Sequence, residues 1–234
     1  MHPRTVGRPP RRTPVSLSSA FDANAVQRPR HAHAFTLIEL LVVIAIIAIL
    51  IGFFVPTLFG IYERAKKVQA KNDLTQIVNT VNAFYTDYGR YPTTATSNVI
   101  YGPEGAVSDV LFNELQACHL VNGVRTPSCC TIDTAPLNTR QIVYLSPRCS
   151  GTATTRSGIA SDGQYYDPWA TRYNIEIDAD YNNQIANPYP DTAAGAQSLS
   201  LGVIGWSYGK DQTKGTRTPA SPNYGGSDDV ISWQ

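Results

Sequence analysis

The chain has 234 residues, enough for one domain of ordinary size plus appendages. Its net charge of +1 hides an uneven layout: residues 1–34 carry Arg4, Arg8, Arg11, Arg12, Arg28 and Arg30 against Asp22 alone, which leaves the rest of the chain net acidic. Those arginines are scattered among Pro and Ser without interleaved aromatics, which argues against a nucleic-acid-binding arm, and no nucleic-acid partner is expected. A basic head before an apolar run is instead a targeting pattern, because positive flanks stay on the cytoplasmic side of a membrane.

In chain order, residues 1–34 show no helical period and no apolar cluster, and they read as a disordered leader. From Phe35 to Tyr62 the only charge is Glu39. A helix over this stretch would be about 42 Å long, more than the ~30 Å that a hydrocarbon core requires. It is therefore expected to anchor the chain in membrane lipid. Pro56 removes a backbone donor and predicts a kink, in a region also loosened by Gly52 and Gly60.

After Tyr62 charges appear, yet Leu74, Ile77, Val78, Val81, Phe84, Tyr85 and Tyr88 keep a helical beat and make one apolar stripe. Gly89 is a natural stop, with Pro92 just beyond it. One helix is thus expected over 36–88, its first half apolar all round and its second half apolar on one face. Residues 93–166 read as loops with short elements, including a helix near Val107–Leu120 and a strand at Gln141–Leu145. Tyr173–Ile177 alternates apolar and polar residues as a half-buried strand does. Leu199–Trp206 and Asp229–Trp233 are further strand candidates. The expected fold class is α+β: a long N-terminal helix packed on a small antiparallel sheet, with a loop-rich C-terminal region. The segments are then a leader (1–34), an apolar helix half (35–62), an amphipathic helix half (63–92) and a globular part (93–234).

Cys118, Cys129, Cys130 and Cys149 all follow the apolar run. If its basic side stays inside, they face an oxidising compartment where disulfides persist. Two bridges are expected. Four cysteines allow three pairings, and a bridge between the adjacent Cys129 and Cys130 is disfavoured because vicinal bridges are strained. Zinc is disfavoured too, since no CxxC pair exists.

Glu39 is the most informative residue. An acid near the start of a Leu/Ile/Val/Ala span costs free energy in lipid, and no other charge within the span can pair with it. Cleavage before Phe35 would create a partner, the new α-amino group. An amine on one subunit facing a carboxylate on the next would set the register of a helical stack. The plainer alternative is an acid that reaches from the helix end to the interface.

Ala34-Phe35-Thr36-Leu37-Ile38-Glu39-Leu40-Leu41-Val42 closely resembles the processing site of type IV prepilins and of the pseudopilins of type II secretion. The resemblance implies that a prepilin peptidase cuts between Ala34 and Phe35 and that the new amine of Phe35 is methylated. It also implies that Glu39 and Pro56 serve assembly. Ala34 stands where the family usually has Gly, and the leader is long for the family.

Asp87-Tyr88-Gly89-Arg90-Tyr91-Pro92-Thr93 resembles the end of the long helix in major pseudopilins, and Asp167-Pro168-Trp169 followed by Tyr173 resembles their path into the sheet. The tail Trp206–Asp211 and Gly225–Trp233 resembles their calcium loop, with a longer excursion between Asp211 and Asp228. This implies calcium on Asp211, Asp228 and Asp229. The chemistry is plausible in its own right, because calcium takes carboxylate and carbonyl oxygens from flexible loops. A second acidic run, Asp178-Ala179-Asp180-Tyr181-Asn182-Asn183, begins like an EF-hand. It then has Asn183 where Gly belongs and Tyr189 where the bidentate Glu belongs, so it reads as a hairpin turn.

Nothing in the chain suggests an enzyme. His2, His31 and His33 lie in the leader, and His119 beside Cys118 cannot face it from a neighbouring helix position. No phosphate loop, nucleophile elbow or HExxH occurs. Two classes remain. The first is a filament subunit: a secretion pseudopilin, or the subunit of a type IV pilus for adhesion, motility or DNA uptake. The second is a membrane-tethered binding protein. Glu39 and the small residue at the cut favour the filament. The resemblance then implies a homopolymer in the inner membrane and periplasm. Its partners would be the prepilin peptidase, an inner-membrane assembly platform and minor pseudopilins.

Overall fold

The computed structural model describes residues 36–149, 157–216 and 223–234, without the side chains of 54–59. The leader, Ala34 and Phe35 lie outside the described residues. The chain divides at Leu50/Ile51 into two compact units. Helix α1, Leu37–Tyr88, begins in the first unit and ends in the second. It comprises 52 residues. The backbone of α1 continues through Pro56; the proline side chain is not among those described. The helix stops where the Gly89 N–H bonds the Tyr85 carbonyl at 2.8 Å.

In the first unit the apolar side chains of α1 point outward: Leu37 is 82% exposed and Ile44 58%. Among the described residues no helix is long and apolar enough to cross a membrane.

The second unit is built on a four-stranded antiparallel sheet. Strand β1 (Val99–Tyr101) precedes helix α2 (Asp109–Leu115), which is shorter than the expected 107–120. Three two-stranded ribbons follow in part before the main sheet resumes. They are β2 (His119–Val121) with β3 (Val124–Thr126), β4 (Gly158–Ile159) with β5 (Tyr165–Tyr166), and, beyond β6 (Asn174–Ile177), β7 (Ile185–Ala186) with β8 (Ser198–Leu199). Strands β9 (Val203–Ser207) and β10 (Val230–Ile231) complete the main sheet in the order β1-β6-β9-β10.

The helix covers one face of this sheet. Ala70, Leu74, Ile77, Val81 and Phe84 are buried in one cluster with Tyr173, Ile175, Ile177, Val203 and Val230. Each fully buried large side chain contributes about 1.5–3 kcal/mol. Glycine at 205 lets helix and sheet approach closely: a Cβ there would lie 2.9 Å from Ile175 Cδ1 and 3.0 Å from Leu74 Cδ2, and those side-chain ends would have to shift. Two polar clasps reinforce the seam. Asp73 accepts the Tyr173 hydroxyl at 3.0 Å and the Ser157 hydroxyl, and Lys71 Nζ donates to the Ile231 carbonyl at 2.7 Å.

Three strand expectations need correction. Residues 141–145 form no strand, because the Tyr144 and Leu145 N–H groups both go to one carbonyl, Leu115, and the Asn138 amide bonds Ile142 from both sides. The backbone is satisfied by a loop network and not by a ladder. Asn174–Ile177 is buried on both faces, not half-buried. A second apolar cluster, with Ile185, Tyr189, Ala194, Leu199, Ile204, Trp206 and Ile231, covers the face away from α1. The expected strand over Leu199–Trp206 is interrupted between β8 and β9, which belong to different ladders.

Cys118 is bonded to Cys130, and Cys129 to Cys149. The vicinal pair therefore sends its two sulfurs to different partners. Together they staple the stretch between α2 and the sheet. Cys129 packs into the main core, while Cys118 and Cys130 are buried beside α2.

Candidate functional site

The helix start is built by Thr36 and Glu39. The Thr36 N–H and hydroxyl each donate to Glu39 Oε2 at 2.9 Å, and the Glu39 N–H donates back to Thr36 Oγ1 at 3.3 Å. This reciprocal pattern is a capping box: it satisfies backbone donors that the first helical turn leaves without partners. The Thr-x-x-Glu spacing carried that signal in the sequence, and a reading centred on the charge alone passed it over. Glu39 thus has a local role as well as any role between subunits.

The tail site is built at the base of a hairpin. β9 and β10 pair antiparallel, Val230 opposite Ser207 and Ile231 opposite Trp206. Asp211 lies just after β9, and Asp228 and Asp229 lie just before β10. Strand pairing brings the three together regardless of how long the excursion between them is. One carboxylate oxygen from each lies within 4.8 Å of the others.

The base of the loop is closely organised. Asp228 Oδ2 accepts the N–H groups of Lys210 and, at 3.2 Å, of Asp211. Gly209 makes this possible: it has φ +68°, and a Cβ there would lie 2.5 Å from the Asp228 carbonyl. Asp229 Oδ2 accepts the Gly215 N–H at 2.7 Å and the Tyr189 hydroxyl. Asp191 receives the Tyr224 and Gly225 N–H groups at 2.8 Å each. Lys214 pairs with Glu104 at 2.7 Å and lies over the rings of Tyr189 and Trp206. Glu104 also accepts from Trp206 Nε1 and the Tyr208 hydroxyl. The sequence offered no sign that Glu104, through Lys214 of the loop, and Asp191 hold this loop from far away in the chain.

Electrostatics at the base favour a cation. Burial pushes the Asp229 carboxyl up to about 6, with the charges of Asp228 and Asp211 adding to the rise. Its Oδ1 is buried with no hydrogen-bond partner among the described residues. An orphaned carboxylate oxygen facing two further acids fits a hard divalent ion held by oxygen ligands.

Cys118 is consumed in a disulfide and offers no thiol, while His119 Nδ1 lies 2.8 Å from the Ala117 carbonyl.

A long helix with a prepilin-type start, packed on an antiparallel sheet, defines a pilin-like protein, and comparison with known proteins agrees. Residues 29–55 match the family described as the prokaryotic N-terminal methylation motif. The type IV wide pilus major component PilA4 of Thermus thermophilus is 33% identical over 88 residues, which is 38% of this chain and 67% of that protein. The type II secretion system core protein G of Aeromonas hydrophila is 40% identical over 65 residues, 28% of this chain and 46% of that protein. The protein of the same description from Escherichia coli K12 is 42% identical over 60 residues, 26% of this chain and 41% of its own length. No solved structure matches.

The chain belongs to the type IV pilin-like family, which unites type IV pilins and pseudopilins. It spans less than half the length of these two secretion-system relatives.

Proposed function

We propose that the protein is a structural subunit of a type II secretion pseudopilus. It is made as a precursor, cut between Ala34 and Phe35 by a prepilin peptidase and methylated on Phe35. It is held in the inner membrane by its apolar helix, with the rest of the chain in the periplasm. An assembly platform then draws it, with minor pseudopilins, into a homopolymer that promotes protein export across the outer membrane. The observation that carries this reading is the similarity to core protein G of secretion systems, which begins in the processing and helix region. Calcium on Asp211, Asp228 and Asp229 orders the tail in this reading, and the buried orphan oxygen of Asp229 supports it.

A second reading, a subunit of a type IV pilus, draws support from the likeness to PilA4. Deletion of the gene in its native host separates the two. Loss of exported proteins with surface pili intact upholds the pseudopilus, and loss of pili with export intact overturns it. Processing is read directly by intact-mass analysis of the membrane-extracted protein: the mature chain should begin at methylated Phe35, and any other start removes that step.

A further inference from the structure

Asp178 follows β6 and is only 2% exposed. Its Oδ2 accepts the Asn183 N–H at 2.7 Å. Its Oδ1 is buried and has no hydrogen-bond partner among the described residues, and no ion pair among them reaches it. The Asp180 carboxylate lies beside it and accepts the Asn182 N–H at 3.1 Å and the Asn182 side-chain amide at 2.8 Å. A buried carboxylate oxygen without a donor, set against a second carboxylate, is costly unless a cation or proton lies between them.

We propose that the Asp178–Gln184 loop is a calcium site distinct from the tail cluster, with the carboxylates of Asp178 and Asp180, the side-chain oxygen of Asn182 and the carbonyl of Gln184 as its ligands. These are the first, third, fifth and seventh positions of the oxygen-ligand spacing that suits calcium. The sixth position of such a loop needs a sharp turn, normally given by glycine. Here Asn183 stands at that position with φ +57°, and asparagine is among the few side chains that tolerate this conformation. The departure that made the run look like a simple turn is therefore met by the backbone.

The other departure stands. Tyr189, at the twelfth position, is buried and its hydroxyl serves Asp229. No bidentate carboxylate closes the site, so water must complete the shell. Gln184 also shares its carbonyl with the Asn98 amide at 2.9 Å. Both features make the site weak, with a Kd of about 0.1–1 mM, as in extracellular calcium modules. An all-oxygen set on a loop that includes a carbonyl suits calcium better than magnesium, which demands a near-ideal octahedron.

Tyr181 supplies a reporter within the loop. It has φ +60° and is 51% exposed. Its ring stacks on Tyr91 with centroids 5.5 Å apart, and its hydroxyl accepts the Tyr91 N–H at 3.2 Å.

The test uses the full chain in detergent with Asp211→Ala and Asp228→Ala in place, so that the tail site is silent. Terbium alone should give tyrosine-sensitised emission at one equivalent, displaced by calcium in the range of about 0.1–1 mM. Adding Asp180→Asn should weaken binding by at least about tenfold. Asp180 is exposed, so this variant should melt as its parent does. Asn182→Ala should act in the same direction, which covers the case of an Asp178→Asn protein that fails to fold. The proposal is overturned if the tail-silenced protein binds no terbium or calcium. It is equally overturned if Asp180→Asn and Asn182→Ala both leave affinity and stoichiometry unchanged. Failure of the tail site alone would leave the unmodified chain binding one ion at this loop, so the two sites are judged separately.

Discussion

Replacing Glu39 with Gln separates the two jobs that the structure and the sequence assign to this carboxylate. Gln can fill the same position of a capping box, so it should keep the bond from the Thr36 N–H, now 2.9 Å long. The helix start then loses only its charge–dipole share, which is small at an exposed helix end. In a filament the same change would leave the neighbour's Phe35 amine charged and unpaired among apolar side chains. Removing one partner of a buried ion pair costs about 3–5 kcal/mol, which is roughly two to three and a half decades in the equilibrium for adding a subunit. Thr36→Val is the complement: it deletes the hydroxyl cap, worth about 1 kcal/mol, and leaves the carboxylate in place. Glu39→Gln protein should therefore insert, be processed and fold, yet enter filaments poorly, while Thr36→Val protein should assemble nearly as the unmodified chain does. Filaments recovered by shearing, set against membrane-bound monomer, give the measurement. Normal filaments from Glu39→Gln would refute the charge pair. An equal defect in Thr36→Val would show that the carboxylate works as a helix cap.

Three further outcomes follow from the second unit. With free calcium at a hundred times the Kd of the tail site, calcium should add about 2.7 kcal/mol of stability, and Asp211→Ala with Asp228→Ala should remove that gain; an unchanged calcium-dependent Tm in the double variant would disprove the assignment. Reducing the Cys118–Cys130 and Cys129–Cys149 bridges, which close segments of 12 and 20 residues, should cost about 3 kcal/mol each at most; four free thiols on non-reducing peptide mapping of the exported protein would contradict the pairing. Burial, and then the facing Glu104, raise the Glu176 pKa from 4.5 to about 7. The folded state therefore favours its protonated form, and the stability this contributes is lost as pH rises from 4.5 through about 7. In chelator, Glu176→Gln should raise Tm at about pH 8 and do little at about pH 5; equal effects at both would show that Glu176 is not the titrating group.

Local pattern was enough for whatever depends on neighbours a few residues away. The run from Phe35 to Val42, the apolar stripe from Leu74 to Phe84 and the stop at Gly89 specified the helix and its family, because helical periodicity and capping are set within a turn or two. The convergence of Asp211 with Asp228 and Asp229 was foreseeable only through resemblance. Its physical cause is the β9–β10 pairing, which makes the length of the loop between them irrelevant. What only the tertiary structure decided lies at long sequence separation. Glu104, through Lys214 of the loop, and Asp191 hold the tail loop from two distant segments. The second apolar cluster buries the face of β6 that alternation had marked as polar. Asn138 and Leu115 satisfy residues 141–145, whose composition suggested a strand. Burial and hydrogen-bond satisfaction are properties of the assembled surface, and no window of sequence contains the atoms that supply them.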